Sequence, residues 1–172
     1  MSAALLTLAF GCAISSVRVM ASEVERRLEP VAAATVKPAF TLRYLEGTDV
    51  ALDQFAGRVV LVHFFATWCE PCQEELTSLA QLVAGPDAKT LTVLAVNVAE
   101  VSARVRRFLE TSPVNFPVVL DADRAVTRGW GVYALPTTYV LDRKLTPRLV
   151  VEGDLSWQRA DVAAALESLK TE

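Results

Sequence analysis

Soft metal ligands are scarce in this sequence. One histidine, His63, and three cysteines, Cys12, Cys69 and Cys72, are all it holds in 172 residues. Structural zinc asks for four Cys or His ligands, commonly as two Cys-x-x-Cys halves. Only one half is present and His63 sits in an apolar stretch, so no metal site is expected. A copper-relay thiol pair fails for the same reason, because no His or Met cluster accompanies it. An excess of one charge is also missing. Seventeen Lys and Arg stand against twenty Asp and Glu, with a net charge of −3 and no basic run, so no nucleic-acid partner is expected. Internal repeats and low-complexity stretches are absent. The longest apolar segment, Ala3–Val17, falls short of the roughly 20 residues that span a bilayer.

That segment has the length of the apolar region of a secretory signal, and Val19-Met20-Ala21 offers a cleavage point after Ala21. No Lys or Arg precedes the run. Cys12 in "LAFGC" is a poor lipoprotein match, because bulky Phe10 stands where a small residue is usual. Cleaved export is the expected outcome, with an uncleaved anchor or lipidation as the alternatives. The chain then divides into 1–21, a signal peptide or short membrane tether; 22–37, a linker; and 38–172, one domain. The expected location is the periplasm or the extracytoplasmic face of the inner membrane. A hydrophobic content of 52% excludes a disordered chain. Two cysteines after the leader are too few for a disulfide-dense scaffold.

Periodicity sets the elements. Phe40, Leu42 and Tyr44 alternate with polar residues, Glu46-Gly47-Thr48 makes a turn, and Val50 and Leu52 resume the alternation, which predicts a β-hairpin. "RVVLVHFFAT" and "TLTVLAVNVAE" are continuous apolar runs of the kind found in strands buried on both faces. Pro71 opens a helix with Leu76, Leu79, Leu82 and Val83 on its inner face, ended by Gly85-Pro86. A helix with Val101, Val105, Phe108 and Leu109 inward, a strand at "FPVVLDA", a short helix, a closing hairpin and a C-terminal helix capped by Ser156 complete the order. Strands alternating with helices indicate an α/β fold with a central mixed sheet.

The chemistry lies in "TWCEPCQEE". A Cys-x-x-Cys bridge closes a tiny loop and restricts the unfolded chain little. It is a poor staple and a good switch. After a buried strand and at the opening of a helix, it is the redox form of the motif, because the helix N-terminus stabilises a thiolate on Cys69. No cofactor is expected beyond the Cys69–Cys72 disulfide itself.

"VVLVHFFATWCEPCQEEL" resembles the active-site strand and helix of the thioredoxin superfamily, and more narrowly the TlpA/ResA-like thiol–disulfide oxidoreductases of bacterial envelopes. "VLAVNV", "FPVVLD" and "WGVYALPTTYVLDR" extend the likeness over about three quarters of the chain. The resemblance implies a thioredoxin-like fold with an N-terminal β-hairpin extension. It makes Cys69 the exposed nucleophile, Cys72 the buried resolving thiol and Pro136 a cis-proline. Leu135 would be left free to pair with an extended substrate, and Trp68, Glu70, Pro71 and Thr137 would line the docking face. Glu75 matches a carboxylate beneath the cysteines, able to relay a proton if buried or merely solvated if not. Glu74 is expected on the surface. His63 stands where thioredoxin has a buried Asp and TlpA/ResA-like proteins often have Asn. It is either a second relay or a satisfied core residue, and the core reading is favoured. Leu76-Thr77 replace a proline often found there, so a straighter helix is expected.

Glu70, beside Cys69, disfavours a second negative charge. A less stable thiolate makes a more reducing couple, which favours a reductase. By resemblance, the partners are exported proteins with disulfides, apocytochrome c during cytochrome c maturation among them, and a membrane electron donor of the DsbD/CcdA type. A monomer is expected. Two rival readings remain. One is a peroxiredoxin-like peroxidase, although its PxxxTxxC setting is missing around Cys69. The other is a non-catalytic thioredoxin-like binding module.

Overall fold

The structure, a computed structural model, describes residues 26–32, 35–85 and 89–171. The three fates considered for residues 1–21 therefore lie outside the described residues. In chain order the elements are β1 (Glu29–Pro30), β2 (Thr41–Tyr44), β3 (Asp49–Ala51), β4 (Val59–Phe65), α1 (Glu70–Val83), β5 (Leu91–Val98), α2 (Ser102–Thr111), β6 (Val118–Asp121), α3 (Ala125–Gly129), β7 (Thr137–Leu141), β8 (Pro147–Glu152) and α4 (Ala160–Thr171). The eight strands form one sheet in the order β1-β8-β7-β4-β5-β6-β2-β3. β4, β5 and β6 run parallel, and the other neighbours pair antiparallel.

β4 is central, and its seven residues are all buried, which is why it reads as an unbroken apolar run. Alternation along it divides the core in two. Val59, Leu61 and Phe65 join the layer containing Cys72, Leu76 and Leu79 of α1 and Val162, Leu166 and Leu169 of α4. Val60, Val62 and Phe64 join the opposite layer with Phe40, Phe55 and Trp130. His63 shares the α1 side with Leu61 and Phe65, and its ring stacks on Phe65. Trp130 is fully buried and packs edge-on to Phe40 and Tyr139.

The hairpin forms as expected, with Gly47 at φ 97° in its turn, a conformation that glycine adopts without strain. Leu52 departs from the expected strand and starts a single 3₁₀ turn, Leu52–Phe55. The linker expected over 22–37 is only partly a linker. Glu29 and Pro30 pair with Val150 and Leu149 of β8. Val31 N–H donates to the Arg148 carbonyl at 2.9 Å. The free edge of β8 offers the backbone groups that capture this segment, and Pro30 is tolerated because edge strands need fewer donors. α1 runs unbroken over 14 residues, without the proline that would interrupt it. Val101 is exposed, since it lies outside α2, in the extended position just before the helix. α4 begins at Ala160, so Ser156 does not cap it. Ser156 belongs to a turn that points Trp157 into the core, where it is completely buried.

Candidate active site

Cys69 holds the extended capping position of α1, and Pro71 lies in the first turn, where its missing N–H costs nothing. The two cysteines are joined in a disulfide. Cys69 keeps 6% exposure and Cys72 none. The expected asymmetry is present, although Cys69 is recessed rather than freely exposed. Glu70, Pro71 and Glu74 are exposed. Trp68 is 66% exposed. The Leu135–Pro136 peptide is cis, and Leu135 packs against the layer that contains both cysteines. Trp68, Val98, Val132, Tyr133 and Leu135 border a groove of about 300 Å³. Thr137, expected to touch substrate, does not reach the surface. It is 1% exposed, pairs with Phe64 and Glu152 in the sheet, and donates its hydroxyl to the Ala134 carbonyl at 2.8 Å. Its role is to hold the loop that carries Leu135.

Glu75 is buried on α1, one turn beyond Cys72 and on the same face. Its Oε1 accepts the indole N–H of Trp157 at 2.6 Å, and its Oε2 has no hydrogen-bond partner. Burial pushes its carboxyl up to about 8. Trp157 opposes that shift, Asp154 adds to it, and the Thr138 hydroxyl opposes it weakly. A protonated carboxylic acid therefore lies under the disulfide at neutral pH. His63 answers the question its position raised. Burial lowers it to about 3, so it is a neutral imidazole in the core, but only half satisfied: its Nδ1 bonds the Thr138 hydroxyl at 2.9 Å, while its buried Nε2 has no hydrogen-bond partner.

Two functional side chains escaped the sequence reading. Trp157 is one. The other is Glu100, at the exit of β5, whose carboxylate accepts the Thr67 N–H at 2.7 Å, the Thr67 hydroxyl at 2.6 Å and the Asn97 amide at 2.7 Å. Gln73 holds the Thr67 carbonyl from α1 at 2.8 Å. Thr67 is thus clamped two residues before Cys69. Glu100→Ala would strand buried donors and is expected to cost about 3 kcal/mol, read as a lowered urea midpoint. An unchanged midpoint would show that the clamp is idle.

Comparison with known proteins agrees with this geometry. The AhpC/TSA family profile matches residues 34–148. The thiol-disulfide oxidoreductase ResA of Geobacillus thermodenitrificans is 33% identical over 140 residues, 81% of this chain and 79% of the relative. ResA of Bacillus subtilis is 34% identical over 128 residues, 74% and 72% of the two chains. A Chlorobium tepidum structure described as thiol:disulfide interchange protein DsbE superposes with a TM-score of 0.72 at 28% identity, covering 78% of this chain and 94% of that one. The fold is thioredoxin-like, and the chain belongs to the AhpC/TSA family, among its thiol–disulfide oxidoreductases.

Proposed function

We propose that the protein reduces disulfides in exported proteins by dithiol–disulfide exchange at Cys69 and Cys72. The observation that carries this reading is the pairing of a recessed but reachable Cys69 with a sealed Cys72 above a buried acid. In the forward cycle the Cys69 thiolate attacks one substrate sulfur and expels the other as a thiolate, which takes a proton from water. The Cys72 thiol returns to Glu75 the proton it took when the disulfide was opened, which left Glu75 a carboxylate, and attacks Cys69 Sγ. The second substrate sulfur leaves, and two electrons have moved from the enzyme to the substrate. The family resemblance supplies the rest of the circuit: a membrane donor of the DsbD/CcdA type, and haem-attachment cysteines among the substrates. The apolar leader supports an extracytoplasmic location.

Direction rests on Glu70, exposed at the first turn beside Cys69. Its charge opposes the thiolate and works against the helix N-terminus, which leaves the couple reducing. The reduction potential is expected near thioredoxin's, roughly −270 mV, and Glu70→Gln should raise it. A value near DsbA's, roughly −120 mV, would refute the direction. Hydrogen peroxide consumption is expected to stay at background, and sustained turnover would restore the peroxidase reading.

A further inference from the structure

Trp157 is fully buried, its indole contacts the Glu75 carboxyl, and the fold invests heavily in placing it. Its backbone N–H donates to Ser78 Oγ of α1 at 3.2 Å. Its neighbour Gln158 closes the seam twice, accepting from Ser78 Oγ at 2.7 Å and donating to the Ser78 carbonyl at 2.8 Å. The indole is therefore fixed against the same helix that carries Cys72 and Glu75. An indole N–H only donates, so Oε1 must remain an acceptor in either state of the carboxyl. The better acceptor is a carbonyl oxygen, so this bond favours the proton on Oε2, the oxygen without a hydrogen-bond partner.

We infer that Trp157 is a positioning residue for disulfide exchange: by occupying Oε1 it biases the carboxyl proton of Glu75 toward Oε2, from which it is delivered to Cys72. The inference rests on the disulfide-exchange reading above. In the reductive half of the cycle, a donor thiolate attacks Cys69 Sγ and the Cys69–Cys72 bond breaks. Cys72 leaves with the electron pair and takes the Oε2 proton, and Glu75 becomes a carboxylate stabilised by the indole N–H. The donor's second thiol then releases Cys69. In the opposite half the carboxylate takes the proton back from the Cys72 thiol. The other groups around Glu75 do not substitute for the indole. Asp154, on the loop before α4, is exposed and paired with Arg26 at 3.5 Å. Thr138 of β7 is shared with neutral His63 of β4 at 2.9 Å, and it lowers the Glu75 carboxyl less than the indole does.

The test is the rate of opening of the Cys69–Cys72 disulfide by dithiothreitol, expressed per dithiothreitol thiolate, as a function of pH. The wild-type rate should fall as pH rises through about 8, where Glu75 empties, and Glu75→Gln should lack the step. In Trp157→Phe, which loses a hydrogen bond to a charged group, the step should move about one pH unit more alkaline. A merely structural tryptophan would lower stability and leave the midpoint where it was. The second measurement needs no variant at position 157. The Trp157 indole N–H proton resonance, assigned in the wild-type protein, should titrate with the same midpoint and stop titrating in Glu75→Gln. A pH-independent resonance, or a Trp157→Phe profile with the wild-type midpoint, overturns the inference. Wild-type protein whose opened disulfide cannot be passed on to reduce any protein disulfide would instead overturn the reading on which it rests.

Discussion

Cys72→Ala, produced in cells that make its natural partners, is expected to accumulate as a covalent adduct joined through Cys69, while Cys69→Ser forms no adduct and loses protein-disulfide reduction by roughly a thousandfold or more. The two variants separate because the two sulfurs have different access. Cys69 keeps the only exposure in the pair and so makes the first bond. Cys72 is sealed and can attack only inward. Without Cys72 the mixed disulfide has no internal route to resolution. The adducts, identified after non-reducing separation, name the substrates directly. Apocytochrome among them would fix the pathway, and adducts made up solely of oxidase-pathway proteins would undo the reductase assignment. Full activity in Cys69→Ser would instead establish the non-catalytic binding module.

The second large effect concerns stability. Glu75 titrates near 4.5 in an unfolded chain and about 8 in the fold. Between those values the native state holds a proton that the unfolded state has released. Folding stability must therefore be fully present below about pH 4.5, fall as pH rises through the window, and level off above about 8. The shift corresponds to about 3–5 kcal/mol across the window. Glu75→Gln keeps an acceptor for the Trp157 indole and removes the titration. The oxidised variant is expected to match the wild type near pH 4.5 and to exceed it by several kcal/mol at pH 9, measured as urea unfolding midpoints along a pH series. Parallel pH curves for the two proteins would show that Glu75 is ionised in the fold, and would remove it as a proton carrier.

Much of this site was legible in the chain because its signals are local. The apolar run of β4, Pro71 at the head of α1 and the spacing of Cys69 and Cys72 lie within a few residues of one another. Leu135-Pro136 is distant but carries its own short motif. What stayed hidden depends on pairings across the fold. Glu75 meets Trp157 across 82 positions and Thr67 meets Glu100 across 33, and no period in the sequence announces either. Helical spacing also cannot separate a buried glutamate from a solvated one when both flank the apolar stripe, and here Glu74 and Glu75 took opposite fates. Thr137 was misplaced for a related reason. Its motif suggested a surface contact, but strand alternation and the registry of β7 with β4 and β8 turn it inward.

The short β1 has a consequence for how the protein survives among other unfolding chains. A sheet's outermost strands are where foreign strands attach and aggregates begin. Here one margin ends in three-residue β3 and the other in two-residue β1, which carries a proline. Neither offers a useful template. Cutting the chain at residue 38, where composition places the start of the domain, would instead leave six-residue β8 as the margin, with Leu149, Val150 and Val151 along it. The segment before the domain thus shields the sheet from self-association.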